Sequence, residues 1–154
     1  MAQDSPFTSH MGAALAEARA AAARGEVPVG AVVVDARGRV VARAGNRMRE
    51  TSDPTAHAEM LAIRAACAAL GQDRLTDCAL YVTLEPCAMC AGAIAAARIA
   101  RVYYAAADPK SGAVARGARV FDRAQSHHRP EIYDGIGAAE AAALLQDFFT
   151  RLRR

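Results

Sequence analysis

LEPCAMC, residues 84–90, follows an apolar run typical of a buried strand and opens an alanine-rich stretch typical of a helix. Because Pro86 favours an extended residue before it and suits a first helical turn, we predict that the strand ends at Glu85 and the helix begins at once. Cys87 and Cys90 then lie three residues apart on one helical face. Cβ atoms so placed are about 5–6 Å apart, and rotamers can bring both sulfurs to one zinc ion. The positive end of the helix also favours their thiolate forms, which bind metal.

PTAHAE, residues 54–59, opens a second predicted helix and supplies a third candidate ligand, His57. Glu59 follows two residues later, so on a regular helix the two side chains point to nearly opposite sides. They can share a site only if the end of the helix faces it. We therefore predict that His57 binds the metal from one side while Glu59 reaches over the open coordination position.

The two other cysteines are predicted to lie too far away to complete a closed site. Cys67 is ten residues along the helix from His57, about 15 Å at about 1.5 Å per residue. Cys78 precedes Cys87 by nine residues of extended chain, about 25–30 Å at about 3.3 Å per residue. Three protein ligands plus a water form the pattern of catalytic zinc, which lowers the pKa of that water. We predict one Zn²⁺ per chain, with a catalytic role.

The rest of the chain shows alternating strand and helix patterns. Ser9 is a candidate cap for a first helix that Gly25 ends, and Arg37-Gly38 marks the turn of a β-hairpin. Residues 46–55 form a polar loop. The predicted helices are residues 9–23, 57–70, 88–97 and 138–153, and the predicted strands are residues 27–35, 40–44, 80–84 and 102–106. This alternation favours an α/β fold, a three-layer α/β/α sandwich with helices flanking a central mixed sheet.

The composition is that of one globular domain over residues 1–154, with 53% hydrophobic and 23% charged residues. The first ten residues lack a signal-peptide core, and Arg98 ends the longest apolar stretch, so we expect neither secretion nor a membrane span. Four cysteines without a secretion signal favour metal ligands or buried thiols over disulfides, and hence the cytoplasm. The net charge of +3 is compatible with a polyanionic partner but does not require one.

The motif H-x-E followed by P-C-x-x-C, carried here by His57, Glu59, Cys87 and Cys90, resembles that of the zinc-dependent nucleobase deaminases. Further segments resemble the bacterial tRNA-specific adenosine deaminases: residues 26–31, 46–47, 53–59, 81–92, 101–110 and 147–149. The likeness is weaker over residues 113–130, where VARG (114–117) and His127-His128 depart from the family pattern.

The resemblance implies a cytidine-deaminase-like fold, a homodimer, and hydrolysis of adenosine to inosine at the wobble position of a tRNA anticodon stem-loop. It implies that Glu59 moves protons between water, base and leaving ammonia. It also implies that Asn46 contacts the nucleoside and that Val29, Ala56 and Glu85 line the pocket wall. Further substrate contacts are expected from Asp108, Lys110 and Phe149.

Two other functions stay open on sequence alone. A deaminase of a free base or nucleoside, such as cytosine, cytidine or guanine, would use the same zinc and glutamate. A non-catalytic zinc module binding nucleic acid would leave Glu59 and the open coordination site without a role. Lys110, the Arg116–Arg119 loop and the arginines at positions 151, 153 and 154 favour an RNA substrate. His127 and His128 are expected at the surface or facing RNA.

Overall fold

The structure, a computed structural model, describes residues 7–153. The strands are β1 (Gly30–Val34), β2 (Val40–Gly45), β3 (Ala79–Leu84), β4 (Arg101–Ala106) and β5 (Glu131–Asp134). They form a sheet with the strand order β2-β1-β3-β4-β5. Strand β1 pairs antiparallel with β2 and with β3, whereas β3, β4 and β5 run parallel, so the sheet is mixed as predicted.

Helices cover both faces of the sheet, which confirms the three-layer α/β/α architecture. The helices are α1 (Met11–Ala23), α2 (Met48–Thr51), α3 (Ala58–Leu70), α4 (Ala88–Ala96) and α5 (Ala138–Leu152). One face of the sheet carries α1 and α5, and the other carries α3 and α4. Apart from α2, their bounds agree with the predicted helices to within two residues at either end.

The two faces arise from the alternation of side chains along each strand. In β1, Val33 lies in the core under α3 and α4, while Val32 lies in the core under α1 and α5. In β3, Leu80 and Tyr81 divide in the same way. Both faces of these strands are buried, which explains why their sequences are continuous apolar runs.

Helix α1 packs directly on β1 because Gly30 has no side chain. A Cβ at position 30 would lie 2.5 Å from the backbone nitrogen of Ala18 and would also collide with the backbone oxygen of Ala14. This glycine also opens β1, which is shorter than predicted. Before it, the N–H of Val29 donates to the carbonyl of Val27 at 2.8 Å, a tight turn around Pro28 that keeps residues 27–29 out of the ladder.

Three local predictions were wrong or incomplete. Residues 46–55 contain the short helix α2, because the carboxylate of Glu26 accepts hydrogen bonds from the N–H groups of Arg49 (3.0 Å) and Glu50 (2.8 Å). Strand β5 was missed, since it has four residues and three of them are exposed. The Ser9 hydroxyl accepts a hydrogen bond from Met11, but α1 begins only at Met11. Within residues 7–153, no helix is long and apolar enough to cross a membrane.

Candidate active site

The structure brings His57, Cys87 and Cys90 together, as predicted. Their ligand atoms all lie within 4.8 Å of one another. The Nδ1 atom of His57 is 3.6 Å from Sγ of Cys87 and 3.5 Å from Sγ of Cys90. Tetrahedral zinc with bonds of about 2.0–2.3 Å requires ligand atoms roughly 3.5 Å apart. The donor set and its spacing therefore fit one zinc ion.

Two helix starts converge on this ligand cluster. His57 is the residue before α3 and Cys87 is the residue before α4, both with extended backbone, while Cys90 lies in the first turn of α4. The prediction that Cys87 shares a helical face with Cys90 was therefore wrong by one position. Pro86 precedes the helix, and the strand ends at Leu84. The N-terminal ends of α3 and α4 both direct partial positive charge at the cluster, which favours thiolate over thiol.

Hydrogen bonds among the three candidate ligands shift their pKa values. Hydrogen bonding from the Cys90 thiol lowers the pKa of Cys87 to about 4 against the opposing effect of burial, and His57 adds to this lowering. Bonding to the Cys87 sulfur in turn raises the pKa of Cys90 and of His57. A metal ion binding here would displace the protons held by these groups, since zinc requires thiolate sulfur and neutral imidazole.

Glu59 lies beside this cluster in the first turn of α3 and is only 4% exposed. Its burial raises the pKa of its carboxyl group above the ordinary value. A carboxyl group whose pKa is raised by burial is suited to take up and release a proton, as a general acid or base does.

His57, Glu59 and Cys87 line a cavity of about 180 Å³. Of the predicted substrate contacts, Val29, Asn46, Glu85 and Asp108 also lie on its wall. Ala56 does not line the cavity: it is buried, and its carbonyl accepts a hydrogen bond from the Arg47 N–H at 3.0 Å. Four further lining residues were not among the predicted site residues: Val27, Met48, Leu84 and Ser111.

Lys110 and Phe149 lie next to this cavity and not in it. They line a larger adjoining cavity of about 580 Å³, which shares Asp108 and Ser111 with the first. Phe149 is 43% exposed there, and Arg153 of the basic tail lines the same space. The second cavity thus offers an aromatic face, Phe149, and two cations, Lys110 and Arg153, next to the cavity that Glu59 lines.

Buried polar side chains hold the walls of the catalytic cavity in place. Asn46 donates from Nδ2 to the Val27 carbonyl at 3.2 Å and accepts at Oδ1 from the Ala58 N–H at 2.8 Å. Burial acts to raise the pKa of Glu85, yet it lies below its ordinary value, because backbone N–H groups donate to the carboxylate. Glu26 was not predicted as a structural residue, but its carboxylate holds α2 beside the cavity. Its position as a lone acidic residue at the start of an apolar run could have indicated this role.

Residues 5–106 match the family model of the cytidine and deoxycytidylate deaminase zinc-binding region. The chain belongs to this deaminase family. It is 56% identical over 146 residues to the tRNA-specific adenosine deaminase of Agrobacterium fabrum, covering 95% of each chain. A solved structure from a study of A-to-I editing by tRNA:A34 deaminases at the wobble position is 58% identical, with a TM-score of 0.86 over 88% of this chain and 97% of that one. The guanine deaminase of Nitrosomonas europaea is 26% identical, with a TM-score of 0.76 over 92% and 85%.

The other histidines and cysteines considered in the sequence analysis lie outside the ligand cluster. The His128 ring nitrogen Nε2 bonds the Ile99 carbonyl at 2.8 Å, and His127 lines a groove beside α4. Cys67 and Cys78 are free thiols, and burial raises the pKa of both.

Several of the arginines expected to meet RNA are paired within the deaminase. Arg116 pairs with Glu85, Arg119 with Asp122 at 2.9 Å, and Arg151 with Asp147 at 3.1 Å. Arg154 lies outside the described residues. Arg116 therefore ties its own loop to the buried carboxylate of Glu85 while part of its side chain stays exposed.

Proposed function

We propose that this deaminase hydrolyses adenosine to inosine at the wobble position of a tRNA anticodon, with one zinc ion held by His57, Cys87 and Cys90. The proposal rests on one observation: across nearly the whole chain, more than half of the residues are identical to those of a tRNA-specific adenosine deaminase. We also propose that residues 1–154 form one catalytic domain, because α5 packs on the same sheet as α1.

Zinc bound by these ligands would supply Lewis-acid activation of a water molecule, which attacks C6 of adenine. Glu59 takes the proton released by that water and delivers it to N1 of the base. It then assists transfer of a proton to the departing amino group, which leaves as ammonia while the C6 carbonyl of inosine forms. The buried position of Glu59 on the cavity wall supports this role.

The two adjoining cavities suit a flipped nucleotide and its neighbour. The target base occupies the small cavity beside Glu59, and an adjacent base stacks on Phe149 in the larger one. Lys110 and Arg153 are placed to contact the intervening phosphates. Anticodon-loop nucleotides are already partly unstacked, so turning one into a pocket costs little free energy.

A homodimer in the cytoplasm completes the proposal. The sequence of α4, AMCAGAIAA, contains no charged residue, and its outward positions are exposed: Ala88, Met89, Gly92 and Ala96. An apolar helix face of this kind suits contact with a second copy. Sedimentation of the wild type as a dimer and of Met89→Glu as a monomer would support this assignment. A monomeric wild type would contradict it.

The decisive experiment compares substrates for the zinc-loaded protein. A synthetic anticodon stem-loop with adenosine at the wobble position, free adenosine, cytidine, cytosine and guanine are incubated separately, and inosine and ammonia are measured. We expect the stem-loop to react fastest by far. Efficient turnover of guanine with no reaction of the stem-loop would favour the second candidate, a free-base deaminase, to which the Nitrosomonas guanine deaminase points. Binding without any ammonia release would indicate a non-catalytic zinc module.

A further inference from the structure

We infer that Glu85 is a positioning residue, whose buried carboxylate folds the segment 108–116 into the wall of the catalytic cavity and thereby sets substrate affinity. The inference rests on the proposed function for its choice of substrate. It differs from the pocket-contact role implied by family resemblance, since here the side chain acts on the protein and not on the substrate.

The carboxylate of Glu85 is completely enclosed, with 0% of its side chain exposed. Oε1 accepts from the N–H of Asp108 at 3.1 Å and pairs with the Arg116 guanidinium. Oε2 accepts from the N–H groups of Val114 at 3.1 Å and Ala115 at 3.0 Å. A carboxylate has about four acceptor positions, and these four donors fill them. None is left for a substrate.

All four donors belong to one segment that contains no helix or strand. Without a ladder of its own, this segment depends on the buried carboxylate to satisfy its backbone N–H groups. Asp108 adds a local turn, accepting at Oδ1 from the N–H groups of Lys110 (3.0 Å) and Ser111 (3.1 Å). The N–H of Ala113 then bonds the Pro86 carbonyl at 2.9 Å, which ties the segment to the residue before Cys87.

Gly112 shows how closely the segment wraps the carboxylate. A Cβ there would lie 2.5 Å from both Cδ and Oε1 of Glu85, and 2.5 Å from the backbone oxygen of Asp108. Any side chain at position 112 would therefore push the segment away from Glu85, even with all four donors still present. This gives a second, independent way to disturb the same contact.

The segment matters for substrate because it supplies two residues of the cavity wall, Asp108 and Ser111, and one residue of the adjoining cavity, Lys110. Glu59 and the three candidate ligands come from α3, α4 and the residues before them. The partners of the Glu85 carboxylate all lie in the segment 108–116 and include none of these residues. Loosening the segment should thus weaken substrate binding while leaving zinc and the proton-transfer step largely intact.

The test uses full-length zinc-loaded protein and the variants Glu85→Gln and Gly112→Ala. The glutamine would turn an amide NH₂ toward N–H donors, and the alanine would displace the segment from an intact carboxylate. For both we expect KM for the anticodon stem-loop to rise at least tenfold, kcat to stay within threefold, and zinc content to be unchanged. Hydrogen exchange at the amides of Asp108, Val114 and Ala115 should accelerate at least tenfold. Gly12→Ala is the control, because a Cβ at position 12 meets nothing within 4 Å.

Two results would overturn the inference. One is faster exchange in the segment with no change in KM, which would show that its order is irrelevant to substrate. The other is loss of zinc and kcat at constant KM, which would assign Glu85 to the metal loop. If Glu85→Gln does not fold, the KM of Gly112→Ala decides. If the wild type deaminates guanine and ignores the stem-loop, the proposed function fails, and the same KM comparison is made with guanine.

Discussion

Asn46 Oδ1 accepts a 2.8 Å hydrogen bond from the backbone N–H of Ala58, the residue with which α3 begins. Through this bond the end of β2 fixes the start of the helix that carries Glu59. The same side chain holds the Val27 carbonyl on the opposite side. One amide therefore joins two walls of the catalytic cavity to each other.

The first prediction concerns Asn46→Ala, which leaves the Ala58 N–H and the Val27 carbonyl without these partners. An unsatisfied buried polar group costs about 1–3 kcal/mol, so we expect the free energy of unfolding to fall by about that amount or more. Urea denaturation measures it. Gln72→Ala is the control, because the Gln72 amide bonds the Arg74 carbonyl at the surface. A change below about 0.5 kcal/mol, typical of surface substitutions, would show that water replaces the Asn46 side chain.

The second prediction is that Cys87→Ala and Cys90→Ala each lose most of the bound zinc. Two ligands cannot hold the ion as three do, and these sulfurs are the two that meet His57. Metal content per chain is measured by elemental analysis after desalting. Cys67→Ala should keep a full complement of zinc, because Cys67 is outside the ligand cluster. Full occupancy in either of the first two variants would refute the ligand assignment.

Third, Glu59→Gln should keep its zinc and its fold but lose turnover. The glutamine has nearly the same shape and cannot carry a proton, and proton transfer by a placed side chain contributes about 10²–10⁴-fold. We expect kcat in the stem-loop assay to fall by about this factor. Glu131→Gln, on the exposed edge strand β5, serves as the matched control. Activity within tenfold of wild type would make Glu59 a structural residue.

The fourth prediction tests RNA contact at the adjoining cavity. Stem-loop binding should weaken with salt, with a log–log slope of about −0.7 for each single-strand phosphate contacted. If Lys110 contacts one phosphate, Lys110→Ala should make the slope less negative by about 0.7, measured by fluorescence anisotropy. Arg43→Ala removes an exposed cation from β2 and should leave the slope unchanged. Equal slopes for all three proteins would remove Lys110 from the RNA surface.

Elements with strong local patterns were predictable from sequence. Strand β3 and helix α3 lie within one residue of their predicted bounds, because a continuous apolar run and a 3.6-residue periodicity each identify one structure. The ligands were predictable too, since H-x-E and P-C-x-x-C place three donors at two helix starts. The predicted start of α4 was wrong in one detail, because Cys87 lies before the helix and not within it.

The features that escaped prediction depend on partners far along the chain. Helix α2 is stabilised by Glu26, which lies 23 and 24 residues before the N–H groups it accepts from. Strand β5 exists through its parallel pairing with β4. Glu85 gave no sign in the sequence that its four donors would come from residues 108–116. Local pattern carries no information about such contacts, because tertiary structure creates them.

The candidate zinc ligands lie at the beginnings of α3 and α4, so their positions do not depend on the lengths of those helices. Residues added or removed near Gly71 or Ala97, where the helices end, would leave the positions of His57 and Cys87 untouched. Relatives could therefore differ in sequence and length at the C-terminal ends of both helices while keeping the same ligand positions at the N-terminal ends. An insertion of one residue between His57 and Ala58, by contrast, would displace His57 relative to the helix that carries Glu59.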